Sequence, residues 1–375
     1  MIYLDNAATT QVNDGVIKVI EESLRDNFGN PSSLYGIGLD SRKRLDRARG
    51  IMAKALGCLP QEVYFTACGT ESNNLAILGA ARARKAWGNN IVVSGFEHPA
   101  VMNTVMSLKD EGFEIRVISP DKNGHIDTEE FLRNIDKSTV LATCMRVNNE
   151  VGTIIDTASL AAQVKKINRR TAFHCDAVQA FTKHPTVLDG SIDTLSLSGH
   201  KFHGPKGIGA LYVRKGFNLK VVQHGGGQES GLRSGTENIA YAEGMAEAVL
   251  EAGDMKKNLV RITSLRNLLR DAVSGIEGVV INSPEDASPY MFNFSLPGNR
   301  SETVLHYLED RGVLVSSGSA CGRGDRSHTL VAMGLDDNII DGAIRVSFST
   351  STTEEDVAKA AEIIKAAAAT LEKKA

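Results

Sequence analysis

The chain has 375 residues, of which 42 are Lys or Arg and 45 are Asp or Glu, so its formal net charge is −3. Apolar residues make up 42% and charged residues 23%, a mixture typical of a soluble globular protein whose core needs no disulfides. Near-neutral charge argues against nucleic acid or an anionic membrane surface as the main partner.

The amino-terminal sequence MIYLDNAATTQ has no basic residue before Lys18, so it is typical of neither a secretory signal nor a transit peptide. No apolar run approaches the ~20 residues that a membrane span requires. The five cysteines are odd in number and form no C-x-x-C pair, which argues against a disulfide framework or a structural zinc site. These features predict a protein of the reducing cytoplasm.

Short apolar runs alternate with helix-like stretches between about residues 60 and 215. The runs predict buried strands at Val63–Thr66, Ile91–Ser94, Ile115–Ile118, Val140–Met145, Ala172–Cys175, Thr194–Leu197 and Ala210–Val213. Helical spacing predicts helices at Glu71–Ala86, Ala100–Asp110 and Ala158–Asn168. The alternation predicts an α/β fold with a mostly parallel sheet, helices on both faces, and ligands beyond the carboxyl ends of the strands.

After Thr236 the pattern changes to a long, mostly helical region that reaches about Ser274. A smaller α+β pattern follows, with strands near Val279–Ile281, Tyr290–Leu296 and Ile344–Phe348 and helices near Glu302–Glu309 and Glu354–Leu371. At roughly 150 residues per domain, the length also fits two domains. We therefore predict a large domain over residues 15–255 and a smaller α+β domain formed by residues 1–14 and 256–375.

A lysine follows one of the predicted strands in the segment LSGHK (197–201). In a dry cleft a lysine can lose its proton and bind an aldehyde covalently, whereas on an open loop it is simply solvated, and spacing alone leaves both open for Lys201. A nucleotide-binding P-loop is excluded, because Gly204 is followed by Pro205 instead of Lys.

Two further polar segments lie at strand ends. Asp176, in HCDAVQ (174–179), is a carboxylate of the kind that keeps a pyridine nitrogen protonated, although His174 and Asp176 also leave a weak metal-site hypothesis. The segment TACGTES (66–72) would place backbone N–H groups at a helix N-terminus, which suits a phosphate or is merely an ordinary helix cap.

The cysteines differ in their surroundings. Cys321 lies in the polar, glycine-rich segment SSGSACGRG (316–324), near two arginines and a histidine that favour a thiolate. Cys58, Cys68, Cys144 and Cys175 lie beside apolar or small residues in predicted elements, so packing is the better interpretation for these four.

Together these motifs resemble the cysteine desulfurases, pyridoxal-phosphate enzymes of the aspartate aminotransferase fold, which is fold type I. The resemblance covers nearly the whole chain and rests on YLDNAATT (3–10), FGNPSS (28–33), GTES (69–72), EHPA (97–100), VNNEVG (147–152), DAVQ (176–179), SGHK (198–201), residues 225–236, SSGSAC (316–321) and IRVSF (344–348). It implies a mostly parallel seven-stranded sheet in the large domain. The SSGSAC segment is similar to the class that serves iron–sulfur cluster assembly and tRNA thiolation.

The resemblance implies a role for each matching residue in holding pyridoxal 5′-phosphate. Lys201 would bind the cofactor covalently and move the proton of the substrate Cα, Asp176 would pair with the pyridine nitrogen, Gln179 and Asn149 would contact the cofactor, and His98 would stack on its ring. The resemblance implies that the phosphate is held by Gly69, Thr70, Ser198 and His200, with Thr236 reaching across from the second subunit of a homodimer.

For the reaction, the resemblance implies that Asn149 and Arg345 bind the carboxylate side of L-cysteine. Cys321 would attack the substrate sulfur, leaving an enzyme persulfide and, after release, L-alanine. No metal is implied. The sulfur acceptor would be an iron–sulfur scaffold or a tRNA-thiolating enzyme, with tRNA at most an indirect partner.

Three alternatives stay open at this point. A selenocysteine lyase or another pyridoxal-phosphate transferase, such as a transaminase, would share the fold. A carrier or regulatory protein that has lost the chemistry is the non-enzymatic alternative, and the joint presence of Lys201, Asp176, His98 and Cys321 argues against it. Tyr35 and Arg146 depart from the family pattern, and these departures leave the acceptor open.

Overall fold

The computed structural model describes residues 1–317 and 326–371 of the chain. Its α-helices are α1 (Asp14–Asp26), α2 (Gly36–Leu56), α3 (Gly69–Arg84), α4 (Pro99–Ser107), α5 (Thr128–Arg133), α6 (Thr157–Ile167), α7 (Ile239–Glu251), α8 (Met255–Ser274), α9 (Ser301–Glu309), α10 (His328–Ala332), α11 (Asp337–Asp341) and α12 (Glu354–Thr370). Its β-strands are β1 (Ile2–Tyr3), β2 (Val63–Thr66), β3 (Asn90–Ser94), β4 (Glu114–Ile118), β5 (Thr139–Thr143), β6 (Ala172–Asp176), β7 (Thr194–Ser198), β8 (Gly209–Val213), β9 (Val280–Ile281), β10 (Met291–Ser295), β11 (Val313–Leu314) and β12 (Ala343–Ser347). None of these helices is long and apolar enough to cross a membrane.

The central sheet has seven strands in the order β2-β8-β7-β6-β5-β3-β4. The strands from β7 to β4 are mutually parallel, whereas β8 runs antiparallel to both of its neighbours. Every residue of β3, β5, β6, β7 and β8 is buried, which explains why these strands are near-continuous apolar runs in the sequence. The predicted α/β fold with a mostly parallel sheet is confirmed.

The helices before residue 60 are absent from the sequence-based prediction. In α2, the buried apolar residues Leu45, Ala48, Met52 and Leu56 recur at helical spacing and face the core. They are separated by many charged and small residues, which cover the outer face of the helix. This thin apolar stripe is why the pattern did not indicate a buried element.

A second, smaller core forms around the sheet β12-β10-β9, whose neighbouring strands are antiparallel. The amino-terminal strand β1 pairs in parallel with β11, and Ile2 and Leu4 pack into this second core. The N-terminal segment therefore packs with the carboxyl-terminal part of the fold, and the division into two domains stays a prediction. The exact domain limits at residues 14/15 and 255/256 stay a prediction.

Thr182 holds a left-handed backbone conformation, with φ of 64°. This region is unfavourable for a β-branched residue and costs about 1–3 kcal/mol. We expect Thr182→Gly to raise the free energy of unfolding by about 1 kcal/mol, because glycine adopts this φ without a Cβ clash. Thr182→Ala is the matched control, since alanine loses the side chain but keeps the Cβ. Urea denaturation of both variants checks this, and an equal effect in the two would contradict it.

Candidate active site

A cavity of about 390 Å³ lies at the carboxyl ends of the parallel strands, next to β6 and β7. Ten of the sequence-predicted site residues line it: Gly69, Thr70, His98, Asn149, Asp176, Gln179, Ser198, His200, Lys201 and Arg345. Thr236 is exposed and is not among the lining residues, and Cys321 lies outside the described residues. The fold thus gathers residues that are up to 276 positions apart in the sequence, from 69 to 345.

The cavity also has lining residues that the sequence analysis did not propose as site residues. They are Ala7, Ala8, Cys68, Asn73, Met145, Val178 and Ser316. Ala7 and Ala8 lie in the segment that follows β1. This segment is at the start of the chain, but it lines the cavity at the strand ends of the large sheet. Their backbone carbonyls, not their side chains, carry the relevant contacts, so composition gives no signal for them.

Lys201 lies in a short 3₁₀ turn that directly follows β7. Its Nζ donates to the carbonyl oxygens of Ala7 and Ala8, at 2.6 and 2.8 Å. Burial lowers its pKa to about 8, assisted by the positive charge of Arg345 and opposed by Asp176 and Asp5. A substantial fraction of Lys201 is therefore a neutral amine near neutral pH, which is the nucleophilic form.

Asp176 ends strand β6 and is held in one orientation. Its Oδ1 accepts from the backbone N–H of Val178 at 2.9 Å, and its Oδ2 accepts from Asn73 Nδ2 at 2.8 Å. Asn73 Oδ1 contacts His174 Nε2 at 2.9 Å, and the other ring nitrogen of His174 contacts Thr194 Oγ1 at 2.9 Å. Because both nitrogens of His174 are engaged in hydrogen bonds, the arrangement does not favour the metal-site hypothesis. The hydrogen bonds from Asn73 and Val178 instead hold the Asp176 carboxylate at the wall of the cavity.

The N-terminus of α3 opens onto the same cavity. The helix begins at Gly69 after Cys68, so the N–H groups of its first turn have no partner within the helix. A Cβ at position 69 would lie 2.9 Å from Val178 Cγ2 and 3.4 Å from Ser198 Cβ, so only glycine allows this close approach without a shift. Among the described residues, the buried Ser198 Oγ has no hydrogen-bond partner. A helix N-terminus beside a free hydroxyl suits an anionic group.

His98 lies at the entrance to α4 and lines the opposite part of the cavity. Its Nδ1 accepts from the backbone N–H of Ala100 at 3.1 Å, which fixes the ring at the helix N-cap. Burial lowers the pKa of His98, and Asp176 opposes this shift. Burial also lowers the pKa of His200 to about 4, with Lys201 as the next cause. Both rings are therefore neutral at physiological pH.

Arg345 projects from β12 and closes the side of the cavity nearest the small core. Its guanidinium donates to Asp5 Oδ1 at 2.9 Å and to the carbonyl oxygen of Asn149 at 3.0 Å. In the described part of the chain, Arg345 Nε and Asn149 Oδ1 are buried without hydrogen-bond partners. The free Nε–H of the Arg345 guanidinium suits a substrate carboxylate, whereas Asn149 Oδ1 can accept from an N–H group on the same side of a substrate.

The four described cysteines divide into two kinds. Burial raises the pKa of Cys58 and Cys175 to about 12 and raises that of Cys144 well above its usual range. These three are thiols at physiological pH, in line with the packing interpretation. Cys68 differs, because it is half-buried and lines the cavity instead of filling the core.

Comparison with known proteins places this geometry in a family. The profile of the aminotransferase class-V family matches residues 2–359. The chain is 39% identical over 362 residues to the cysteine desulfurase IscS of Dictyoglomus turgidum, covering 95% of this chain and 91% of that protein. It is 40% identical over 366 residues to a NifS/IcsS protein homolog of Lactobacillus delbrueckii subsp. bulgaricus, covering 95% and 94%.

A solved structure described as a NifS-like protein superposes with a TM-score of 0.93 at 36% identity, covering 99% of this chain and all of that chain. This similarity extends over both cores and the cavity between the strand ends and β12. The chain therefore belongs to the class-V aminotransferase family and, within it, to the cysteine desulfurases.

Proposed function

We propose that the protein is a pyridoxal-phosphate-dependent cysteine desulfurase, which converts L-cysteine to L-alanine and retains the sulfur as a persulfide on Cys321. The observation that carries the proposal is the convergence of Lys201 and Asp176 on one cavity that the N-terminus of α3 also lines. A reactive amine, a fixed carboxylate and an anion-binding helix end are the three groups that this cofactor requires.

The residues of the cavity fit the cofactor. The unpaired Ser198 Oγ and the N–H groups of Gly69 and Thr70 supply donors for a phosphate, and a Cβ at Gly69 would obstruct that corner. Asp176 would hold the pyridine nitrogen protonated, His98 would cover the ring, and His200 would support the phosphate side. Lys201 would hold the aldehyde carbon through Nζ.

When bound, pyridoxal phosphate supplies an electron sink that stabilises negative charge on the carbon atoms of the substrate. Arg345 would bind the substrate carboxylate, exchanging part of its contact with Asp5 for that anion, and Asn149 would contact the same side of the substrate. Once Lys201 Nζ no longer holds the cofactor covalently, it would act as a neutral amine and take the proton from the substrate Cα. The low pKa of this amine makes it a suitable base near neutral pH.

The sulfur step would use Cys321. Its thiolate attacks the substrate Sγ, the S–S bond of the persulfide forms, and the substrate Cβ–Sγ bond breaks. The electron pair of that bond stays with Cβ, which takes a proton and becomes the methyl group of alanine. No external oxidant is needed, because the two electrons that sulfur loses on entering the persulfide are gained by Cβ as it becomes a methyl group.

The proposal is tested by product analysis of the purified holoenzyme with L-cysteine and dithiothreitol. We expect equal amounts of alanine and sulfide, and a persulfide adduct detected by mass spectrometry when the reductant is omitted. Formation of pyridoxamine phosphate with a 2-oxo acid would indicate a transaminase instead. Turnover of selenocysteine with none of cysteine would indicate a selenocysteine lyase, and absence of bound cofactor would contradict the enzymatic proposal.

The pKa of Lys201 gives a pH prediction for the cofactor-free protein. The neutral amine attacks the aldehyde, so the rate of pyridoxal-phosphate capture is expected to rise about tenfold per pH unit below pH 8 and to level off above it. An ordinary lysine has a pKa near 10.4, so its rate would keep rising to about pH 10. Stopped-flow absorbance measures the rate, with Lys201→Ala as the blank. A rise that continues to pH 10 would contradict the lowered pKa.

We also propose that the protein works as a cytoplasmic homodimer that passes sulfur to an acceptor protein, an iron–sulfur scaffold or a tRNA-thiolating enzyme. The exposed position of Thr236, outside the cavity of its own chain, supports its use by a second copy. Exposed apolar side chains such as Phe28 and Leu34 supply surface for that contact. Sedimentation equilibrium tests the dimer, and mass spectrometry of proteins captured by the persulfidated enzyme tests the acceptor.

A further inference from the structure

A second lysine, Lys183, lies behind the wall of the cavity and is not used by the proposed reaction. Its side chain is buried, with 7% of the residue exposed. Among the described residues, no carboxylate lies within ion-pair distance of it. Burial lowers its pKa to about 7, and the positive charge of Lys201 acts in the same direction. A buried amine without an anionic partner is costly, so its retention calls for a specific contact.

That contact is made with Gln179. Lys183 Nζ donates to Gln179 Oε1 at 3.3 Å, and it also lies 5.7 Å above the ring centre of Tyr290. The opposite end of the same amide, Nε2, donates to the carbonyl oxygen of Ala7 at 2.9 Å. This carbonyl is also the acceptor for Lys201 Nζ. The Gln179 amide therefore connects the two lysines: its Oε1 accepts from Lys183, and its Nε2 shares the Ala7 carbonyl oxygen with Lys201.

The chemistry of the groups determines which way the amide points. As an ammonium, Lys183 only donates hydrogen bonds, so it selects the oxygen end of Gln179. As a neutral amine it also has a lone pair, and the Ala7 carbonyl then decides the orientation of the amide. The carbonyl of Ala7 accepts only, so it selects the nitrogen end. A reversed amide would direct its NH₂ at Lys183 and its oxygen at the oxygen of Ala7, which loses the bond to Ala7 in every case and both bonds when Lys183 is an ammonium.

We propose that Lys183 is a positioning residue that fixes the Gln179 amide with its N–H group towards the cavity, where it can donate to the cofactor. This inference rests on the proposed function, because it assumes that the cavity holds pyridoxal phosphate.

A double-mutant cycle tests whether Lys183 acts through Gln179. The variants are Lys183→Met, Gln179→Ala and the double substitution, and the measurement is the dissociation constant of pyridoxal phosphate from each cofactor-free protein by fluorescence titration. We expect Lys183→Met to weaken binding about fivefold in the wild-type background and by less than about 1.5-fold in the Gln179→Ala background. Lys215→Met, which removes an exposed lysine, is the control and is expected to leave binding unchanged.

The pH midpoint of the visible absorbance of the bound cofactor is a second readout. Lys183→Met is expected to shift this midpoint in the wild-type background but not in the Gln179→Ala background. A thermal melt of each cofactor-free variant shows whether the substitution has impaired folding. Lys183→Met is expected to melt no lower than the wild type, since it replaces an unpaired buried amine by an apolar chain of similar length. If it fails to fold, Lys183→Leu, which also removes the donor, replaces it in the cycle.

The outcomes separate the two proposals. If the wild-type protein does not bind pyridoxal phosphate, the proposed function fails and this inference fails with it. If the wild type binds the cofactor but Lys183→Met weakens binding equally in both backgrounds, or not at all, only the positioning role is overturned. Loss of the effect in the Gln179→Ala background supports it.

Discussion

Replacing Lys201 with alanine is expected to lower the rate of alanine formation from L-cysteine at least about a thousandfold. The substitution removes the amine that lies 2.6 Å from the carbonyl oxygen of Ala7 and faces the cavity. It removes two contributions at once, the covalent attachment of the cofactor and the base that takes the Cα proton. No other described lysine that lines the 390 Å³ cavity is available to replace it.

The variant is expected to retain the cofactor without a covalent bond. The donors at Ser198 and the N-terminus of α3 remain, so the phosphate site is intact. Borohydride reduction followed by intact-mass measurement should therefore fix pyridoxal phosphate on the wild type and leave Lys201→Ala unmodified. Lys215→Ala is the matched control, because it removes an exposed lysine with no role in the site. Activity of Lys201→Ala above about a tenth of wild type would refute the assignment.

Replacing Cys321 with alanine is expected to reduce persulfide formation at least about a hundredfold, even with dithiothreitol present. The pKa values of three other cysteines support this expectation. Cys58, Cys144 and Cys175 have pKa values raised by burial and are poor nucleophiles near neutral pH. Cys68 is the competing candidate, since it lines the cavity at the N-terminus of α3.

Cys68→Ala is therefore the matched control for Cys321→Ala. We expect it to retain activity within about threefold of wild type, because a thiol at the phosphate corner is badly placed to deliver sulfur to a protein acceptor. Both variants are expected to bind the cofactor with an unchanged absorbance spectrum. If Cys68→Ala abolished persulfide formation and Cys321→Ala did not, the sulfur carrier would be Cys68.

The strands of the large sheet could be predicted because most of them are buried on both faces. Such strands are continuous apolar runs, as in β3 and β6, and their ends fall within two residues of the prediction. The direction of β8 could not be predicted, since an antiparallel strand buried on both faces has the same composition as a parallel one. Helix α2 was missed because its apolar stripe is narrow and its other faces are charged.

The site was predictable where a residue follows a strand and carries its own chemistry, as Asp176 and Lys201 do. The site was not predictable where the hydrogen-bond partner is distant in sequence and is a common amide or a backbone carbonyl. Asn73 orients Asp176 across 103 positions of sequence, and the carbonyl of Ala7 meets Lys201 across 194. Lys183 gave no signal either, because a lysine among polar residues is normally solvated.

The pairing of the first residues with the last part of the fold has a consequence for biosynthesis. The Asn6 side chain donates to the carbonyl oxygen of Ser347 at 2.9 Å, across 341 positions, and the backbone N–H of Ala7 donates to Ser347 Oγ at 2.8 Å. The carbonyl oxygen of Ala7 accepts from Lys201, and the backbone around Ala7 bonds to Ser347. During synthesis on the ribosome, this segment therefore cannot make its final contacts until almost the entire chain has emerged. The complete cavity therefore exists only in the finished polypeptide, because one of its walls joins residues near both ends of the chain.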